Sequence, residues 1–103
     1  MTSRDVVEQD AERSRFVIRR GDATAELTYK LSGTRIVLVH TGVPRELRGS
    51  GLAVELAHAA FEYARANKLS VIPACPFVGR YLKRHPEYQT LVRGRLDDDD
   101  DSE

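Results

Sequence analysis

Three short stretches of the sequence hold residues able to do chemistry. The first is Arg48-Gly49-Ser50-Gly51-Leu52-Ala53, where two glycines lead into an apolar run of helical period. Glycines there let the backbone turn tightly and approach a ligand, and the unpaired N–H groups of a first helical turn point outward. Such an end binds anions, each favourable charge contributing roughly 0.3 to 1 kcal/mol and up to about 2 kcal/mol when partly buried. A helix start that needed only flexibility would carry the same glycines. The second is Cys75-Pro76. Proline suits the first turn of a helix, and a thiol facing helical N–H groups has a lowered pKa. A small buried apolar residue is the commoner fate of a lone cysteine. The third is His40, at the end of an apolar run, where an imidazole can take a proton or make a structural hydrogen bond.

The elements that must position these groups follow from periodicity. Arg15 to Arg20 reads as a short strand, and Gly21-Asp22 as a hairpin turn. From Ala23 to Leu31 the residues alternate, with Ala23, Ala25, Leu27, Tyr29 and Leu31 on one face and Thr24, Glu26, Thr28 and Lys30 on the other. That predicts a half-buried strand. Ser32-Gly33 makes the next turn, and Thr34 to Thr41 follows as a strand apolar on both faces, hence central in its sheet. The expected arrangement is an antiparallel meander of three strands.

The period then changes to 3.6. From Gly51 to Asn67, Leu52, Leu56, Ala59, Ala60 and Tyr63 share a face, flanked by Ala53, Ala57 and Ala64, with Glu55, His58, Glu62 and Arg65 opposite. Ser70 to Cys75 is apolar and flanked by turn signals, and a strand reached through a helix runs parallel to the strand before it. Pro73 cannot donate to a ladder, so that strand needs a free edge or a bulge. A short helix opens at Pro76 and stops before His85-Pro86. The fold class is α+β: a mixed sheet built as an antiparallel meander followed by a β-α-β-α core.

At 103 residues and 41% hydrophobic content the chain makes one domain with a real core. Residues 1–13 read as a flexible arm, 14–96 as the domain and 97–103 as a disordered acidic tail. The net charge of zero is uneven, because six of the 16 acids fall in 97–103. The rest of the chain carries about six excess positive charges, and 13 of the 16 bases are Arg, whose planar fork suits phosphate. An anionic small molecule or a nucleic acid fits that balance, as does a solvated basic surface. A single-strand binder would want more aromatic platforms on the sheet than Phe16 and Tyr29, so no nucleic acid is expected. No apolar run approaches the roughly 20 residues that span a bilayer, so no membrane partner is expected either. The N-terminus has mixed charges rather than an apolar signal core, and no Cys/His set has zinc spacing; both predict a cytoplasmic protein without a metal.

Arg48-x-x-Gly51-x-Ala53 resembles the (Q/R)-x-x-G-x-(G/A) signature of the GNAT superfamily of N-acetyltransferases. The likeness is wider than the signature. Residues 40–51, 72–77 and 81–88, in that order, resemble the minimal GNAT-like N-acetyltransferase family, the YjdJ-type small GNAT-domain proteins, and the similarity covers about residues 14–92.

The resemblance implies a GNAT-like domain using acetyl-CoA as co-substrate, with an amine of a small molecule or protein as acceptor. It implies that Arg48, Gly49, Ser50, Gly51, Leu52 and Ala53 cradle the pyrophosphate. The strands Val37 to Val43 and Ser70 to Cys75 would separate into a V-shaped cleft for pantetheine, bringing Thr41 and Val43 to it. Lys83, or its neighbours Arg80 and Arg84, would reach the terminal phosphate. Cys75 would lie near the thioester, as acyl carrier or lining, and Tyr81 would protonate the departing thiolate or simply pack. Deprotonating an acceptor lysine of pKa near 10.4 costs about 4.6 kcal/mol at pH 7, so a base must help. His40 is the best placed, with Glu26 and Glu46 weaker. The alternative is a module that binds acetyl-CoA and carries or senses the acyl group through Cys75 with little turnover.

Overall fold

A computed structural model of the chain describes residues 6–92. The elements in order are β1 (Glu8–Asp10), β2 (Arg15–Arg20), β3 (Ala23–Ser32), β4 (Arg35–Gly42), α1 (Leu52–Ala66), β5 (Ser70–Pro73) and α2 (Pro76–Arg84). Short 3-10 segments cover Ala11–Arg13, Arg45–Leu47 and Pro86–Leu91. The sheet order is β1-β2-β3-β4-β5, antiparallel throughout except for the parallel pair β4–β5. This is the α+β fold that the patterning predicts, a meander followed by a β-α-β-α unit.

One face of the sheet carries the core. Phe16 and Ile18 of β2, Ala25, Leu27 and Tyr29 of β3, Ile36 and Leu38 of β4 and Val71 of β5 are buried, which is the alternation expected where helices cover one side. Helix α1 lies on that face with Leu52, Leu56, Ala57, Ala60, Phe61 and Ala64 inward. Its stripe is turned slightly from the one expected: Phe61, which periodicity passed over, is fully buried, while Ala59 and Tyr63 are half-buried. Asn67 caps the helix by donating from Nδ2 to the Tyr63 carbonyl at 2.9 Å.

One expectation is corrected. Within the stretch 1–13 that the sequence predicts as a flexible arm, Glu8–Asp10 pairs with β2 as an edge strand. Its three residues are polar, so no apolar alternation announces it. Backbone pairing and ion pairs hold it instead: Arg19 to Glu8, and Arg15 Nε to Asp10 at 3.1 Å. The expected three-strand meander is thereby a four-strand one. Residues 1–5 of the arm and the acidic stretch 97–103 lie outside the described residues. Among the described residues no helix is long and apolar enough to cross a membrane.

Candidate active site

The strands β4 and β5 pair from Arg35–Ser70 to Leu38–Pro73 and then part. Their separation starts later than the expected cleft, so the gap lies between Val39 to Val43 and the Ala74-Cys75 corner. Two features end the ladder. Pro73 has no N–H, and the Leu38 carbonyl accepts from both Ala74 at 3.1 Å and Cys75 at 3.0 Å. In β4 the register against β3 shifts between Thr28 and Tyr29, so Val39 is an extra residue. Such bulges increase local twist and re-aim side chains. Beyond it, His40 pairs with Thr28 and Thr41 with Leu27, which puts His40 on the uncovered face and Thr41 on the core face.

Thr41 points at the thiol. Its Oγ1 is 3.4 Å from Cys75 Sγ, and Cys75 is only 5% exposed. Burial alone pushes this thiol up. The Thr41 hydroxyl and the backbone N–H groups of Val78, Phe77 and Thr41 outweigh it, so the group titrates below its ordinary value. Two of those N–H groups belong to the first turn of α2, where Cys75 occupies the cap position without a formed side-chain cap hydrogen bond. Thr41, 34 residues away in sequence, brings its hydroxyl to the same thiol.

The loop before α1 has the geometry of an anion cradle. Gly49 and Gly51 have φ of +88° and +79°, a conformation that side-chain-bearing residues avoid, and a Cβ on either would meet only open space. Gly51 caps α1 with no side chain. The first amide with an intrahelical partner is that of Glu55, which donates to the Gly51 carbonyl at 3.2 Å, leaving the N–H groups of Leu52, Ala53 and Val54 without partners in the helix. Leu52 is buried, so it offers its amide and no side chain. Arg48 donates from Nε to the Val43 carbonyl at 3.2 Å, pinning the loop to the end of β4. Ser50 is exposed at the turn.

Three adjoining cavities join these parts. One of about 540 Å³ is lined by His40, Thr41, Val43, Arg48, Ala53 and Arg80 among others. A second, of about 280 Å³, reaches along Gly49, Gly51 and Ala53. A third, of about 570 Å³, has Arg80, Lys83 and Arg84 in its wall. Phe77 lines all three and is the residue sequence reasoning missed, although its spacing from Tyr81 places both on one helix face. Thr41, Val43, Arg48, Gly49, Gly51, Leu52 and Ala53 are thus brought together, with Lys83 at the far end. Cys75 meets the first cavity through Thr41. His40 stands over Gly42 and beside Glu26 on the open sheet face, and Glu26 is itself bound to Arg15 at 2.6 Å.

Tyr81 lies elsewhere. It is 4% exposed, stacks on His85 with ring centroids 4.1 Å apart, and lines the third cavity but not the first. Burial, with lesser contributions from Glu87 and Glu62, raises its pKa. No group of His, Cys, Asp and Glu able to hold a metal occurs among the described residues.

A glycine loop, helical amides without partners in the helix and a split between parallel strands thus lie side by side. Residues 15–91 match the family model described as GCN5-related N-acetyl-transferase. Protein NATD1 of human and of mouse are each 38% identical over 90 residues, spanning 84% of this chain and 80% and 82% of theirs. The solution structure of a GCN5-like protein from Staphylococcus aureus superposes with a TM-score of 0.68 at 34% identity, covering 86% of this chain and 88% of that one. The loop, the helix start and the parted strands all fall inside the matched region, and the chain belongs to the GCN5-related N-acetyltransferase family.

Proposed function

We propose that this protein transfers the acetyl group of acetyl-CoA to an amine. The observation that carries the reading is the parting of β4 from β5 beside an uncapped α1 N-terminus. The amides of Leu52, Ala53 and Val54, with the open loop at Gly49 and Gly51, suit a pyrophosphate. Arg80, Lys83 and Arg84 supply charge for the remaining phosphate. Beyond Leu38 the edge of β4 is no longer paired with β5 and can take the amides of a pantetheine arm, so that the thioester would lie near Thr41 and Cys75. An acceptor amine entering from the uncovered sheet face meets His40 and Glu26 first, and His40 is then the base that takes its proton. Tyr81 lines the adjoining cavity rather than the one that holds Thr41, so a role as acid for the departing thiolate is not part of this reading.

A second reading rests on the lowered pKa of Cys75. Its thiolate attacks the thioester carbonyl, the carbon–sulfur bond of the coenzyme breaks, and a thioester forms on Cys75 while the coenzyme thiolate leaves and takes up a proton. Stoichiometric acetylation of Cys75 without turnover favours this carrier role; steady release of coenzyme thiol with an added amine favours the transferase.

The test of the binding site is thermal unfolding with acetyl-CoA, CoA, ATP and NAD. Acetyl-CoA at 100 times its dissociation constant stabilises the fold by about 2.7 kcal/mol. Equal stabilisation by ATP or NAD overturns the proposal.

A further inference from the structure

Beside the basic groove lies a second cavity of opposite charge, about 590 Å³, between the outer face of α1 and the turn joining α2 to the last 3-10 segment. Its wall holds Glu55 and Glu87 and neither Lys nor Arg. The adjoining cavity holds Arg80, Lys83 and Arg84 and no carboxylate. Only Val54, Tyr81 and His85 belong to both. So sharp a division of charge across one shared rim points to two ligands of opposite sign.

The polar groups of the acidic cavity are underused. The Glu55 carboxylate has no hydrogen bond or ion pair among the described residues. Glu87 reaches only His85 Nδ1, at 3.7 Å, beyond hydrogen-bond distance. Tyr88 donates its hydroxyl proton to Glu62 Oε2 at 2.6 Å, and a carboxylate can only accept. The phenol oxygen therefore accepts from His58 Nδ1–H at 3.1 Å, and this network assigns the tautomer: in the neutral ring, His58 Nε2 is left as an acceptor. Tyr81 is 96% buried, lines the cavity and has no partner for its hydroxyl among the described residues. Buried phenols rarely go unpaired. Burial raises the pKa of Tyr81 most, and Glu87 in the cavity wall adds to the rise. Tyr81 also stacks with Tyr88 at 6.1 Å and with His85 at 4.1 Å, giving the cavity an aromatic wall.

We propose that this cavity binds an organic cation, an alkylammonium or guanidinium group of the size of a diamine or a lysine or arginine side chain. Glu55 and Glu87 face the charge, the Tyr81 and Tyr88 rings take the methylene stem, and His58 Nε2 and the Tyr81 oxygen accept its N–H hydrogens. The site is distinct from the coenzyme groove and does not depend on the acetyl-transfer reading.

The experiment is an amide chemical-shift titration of the full chain, without coenzyme, by 1,5-diaminopentane, by short lysine- or arginine-bearing peptides with blocked ends, and by 1,5-pentanediol. Saturable shifts clustered at residues 54–59 and 81–88 are expected with the cations and not with the diol. The double variant Glu55→Gln, Glu87→Gln, altered only at partly or fully exposed positions, weakens cation binding at least tenfold. Tyr81→Phe, which keeps the ring, weakens it a few-fold. Tighter binding of the diamine identifies a free amine as the ligand, and tighter binding of a peptide identifies a polypeptide side chain; either upholds the cation chemistry. The proposal is overturned if the diol shifts the same amides equally, if the double variant keeps its affinity within twofold, or if no cation saturates at millimolar concentration.

Discussion

A thiol as deeply buried as that of Cys75 would ordinarily hold its proton tightly, and here it does not. The cause divides between the start of α2 and Thr41, and only the first could be foreseen from Cys75-Pro76. Thr41→Val removes the hydroxyl and keeps the shape, so the thiol titrates higher and reacts several-fold more slowly with iodoacetamide near pH 7 to 8, since one pKa unit is tenfold in thiolate there. An unchanged rate would mean that the helical amides alone set the pKa. The folded-state pKa is depressed, so the associated stabilisation is present above the unfolded value and is lost as pH falls through the folded one. His40 was legible as a strand-end imidazole, but its face was not. The extra residue at Val39 decides that, and nothing in the alternation of 34–41 marks it.

At the scale of elements, the loop into α1 makes the sharpest demand on sequence. Gly51 sits at φ +79° as the helix cap. Gly51→Ala forces a side chain into that conformation at roughly 1 to 2 kcal/mol and sets a methyl where a diphosphate would approach. The expected outcome is a melting temperature several degrees lower together with loss of the stabilisation by acetyl-CoA. A variant that melts lower but keeps the full ligand-induced shift would separate the cap from the binding site. Helix α1, strands β2 to β5 and both glycines were readable because each has a local signal: period, turn residue or cap. Strand β1 was not, because Glu8, Gln9 and Asp10 are recruited by the edge of β2. The Tyr88 contacts with His58 and Glu62 were equally hidden, since 30 and 26 residues separate the partners. Burial and the bond to Glu62 hold the Tyr88 proton well beyond the usual phenol range, so this joint between α1 and the last turn keeps its proton under ordinary conditions.

For the whole molecule, net charge is a poor guide to where charge is used. The sum over the chain is zero, yet α2 and its following turn divide a basic cavity from an acidic one across a rim of Val54, Tyr81 and His85. Composition could indicate the Arg-rich body, but it could not indicate the division, which depends on helix phase and on how the chain returns after His85. The place where two parallel strands part has a different consequence. Because the Leu38 carbonyl already accepts from two amides and Pro73 offers none, the backbone pairing itself sets the wedge, and a guest is expected to enter without a prior opening step. Stopped-flow mixing with acetyl-CoA should then give one phase whose rate climbs linearly with concentration; a rate that levels off would reveal a gate that these strands do not display.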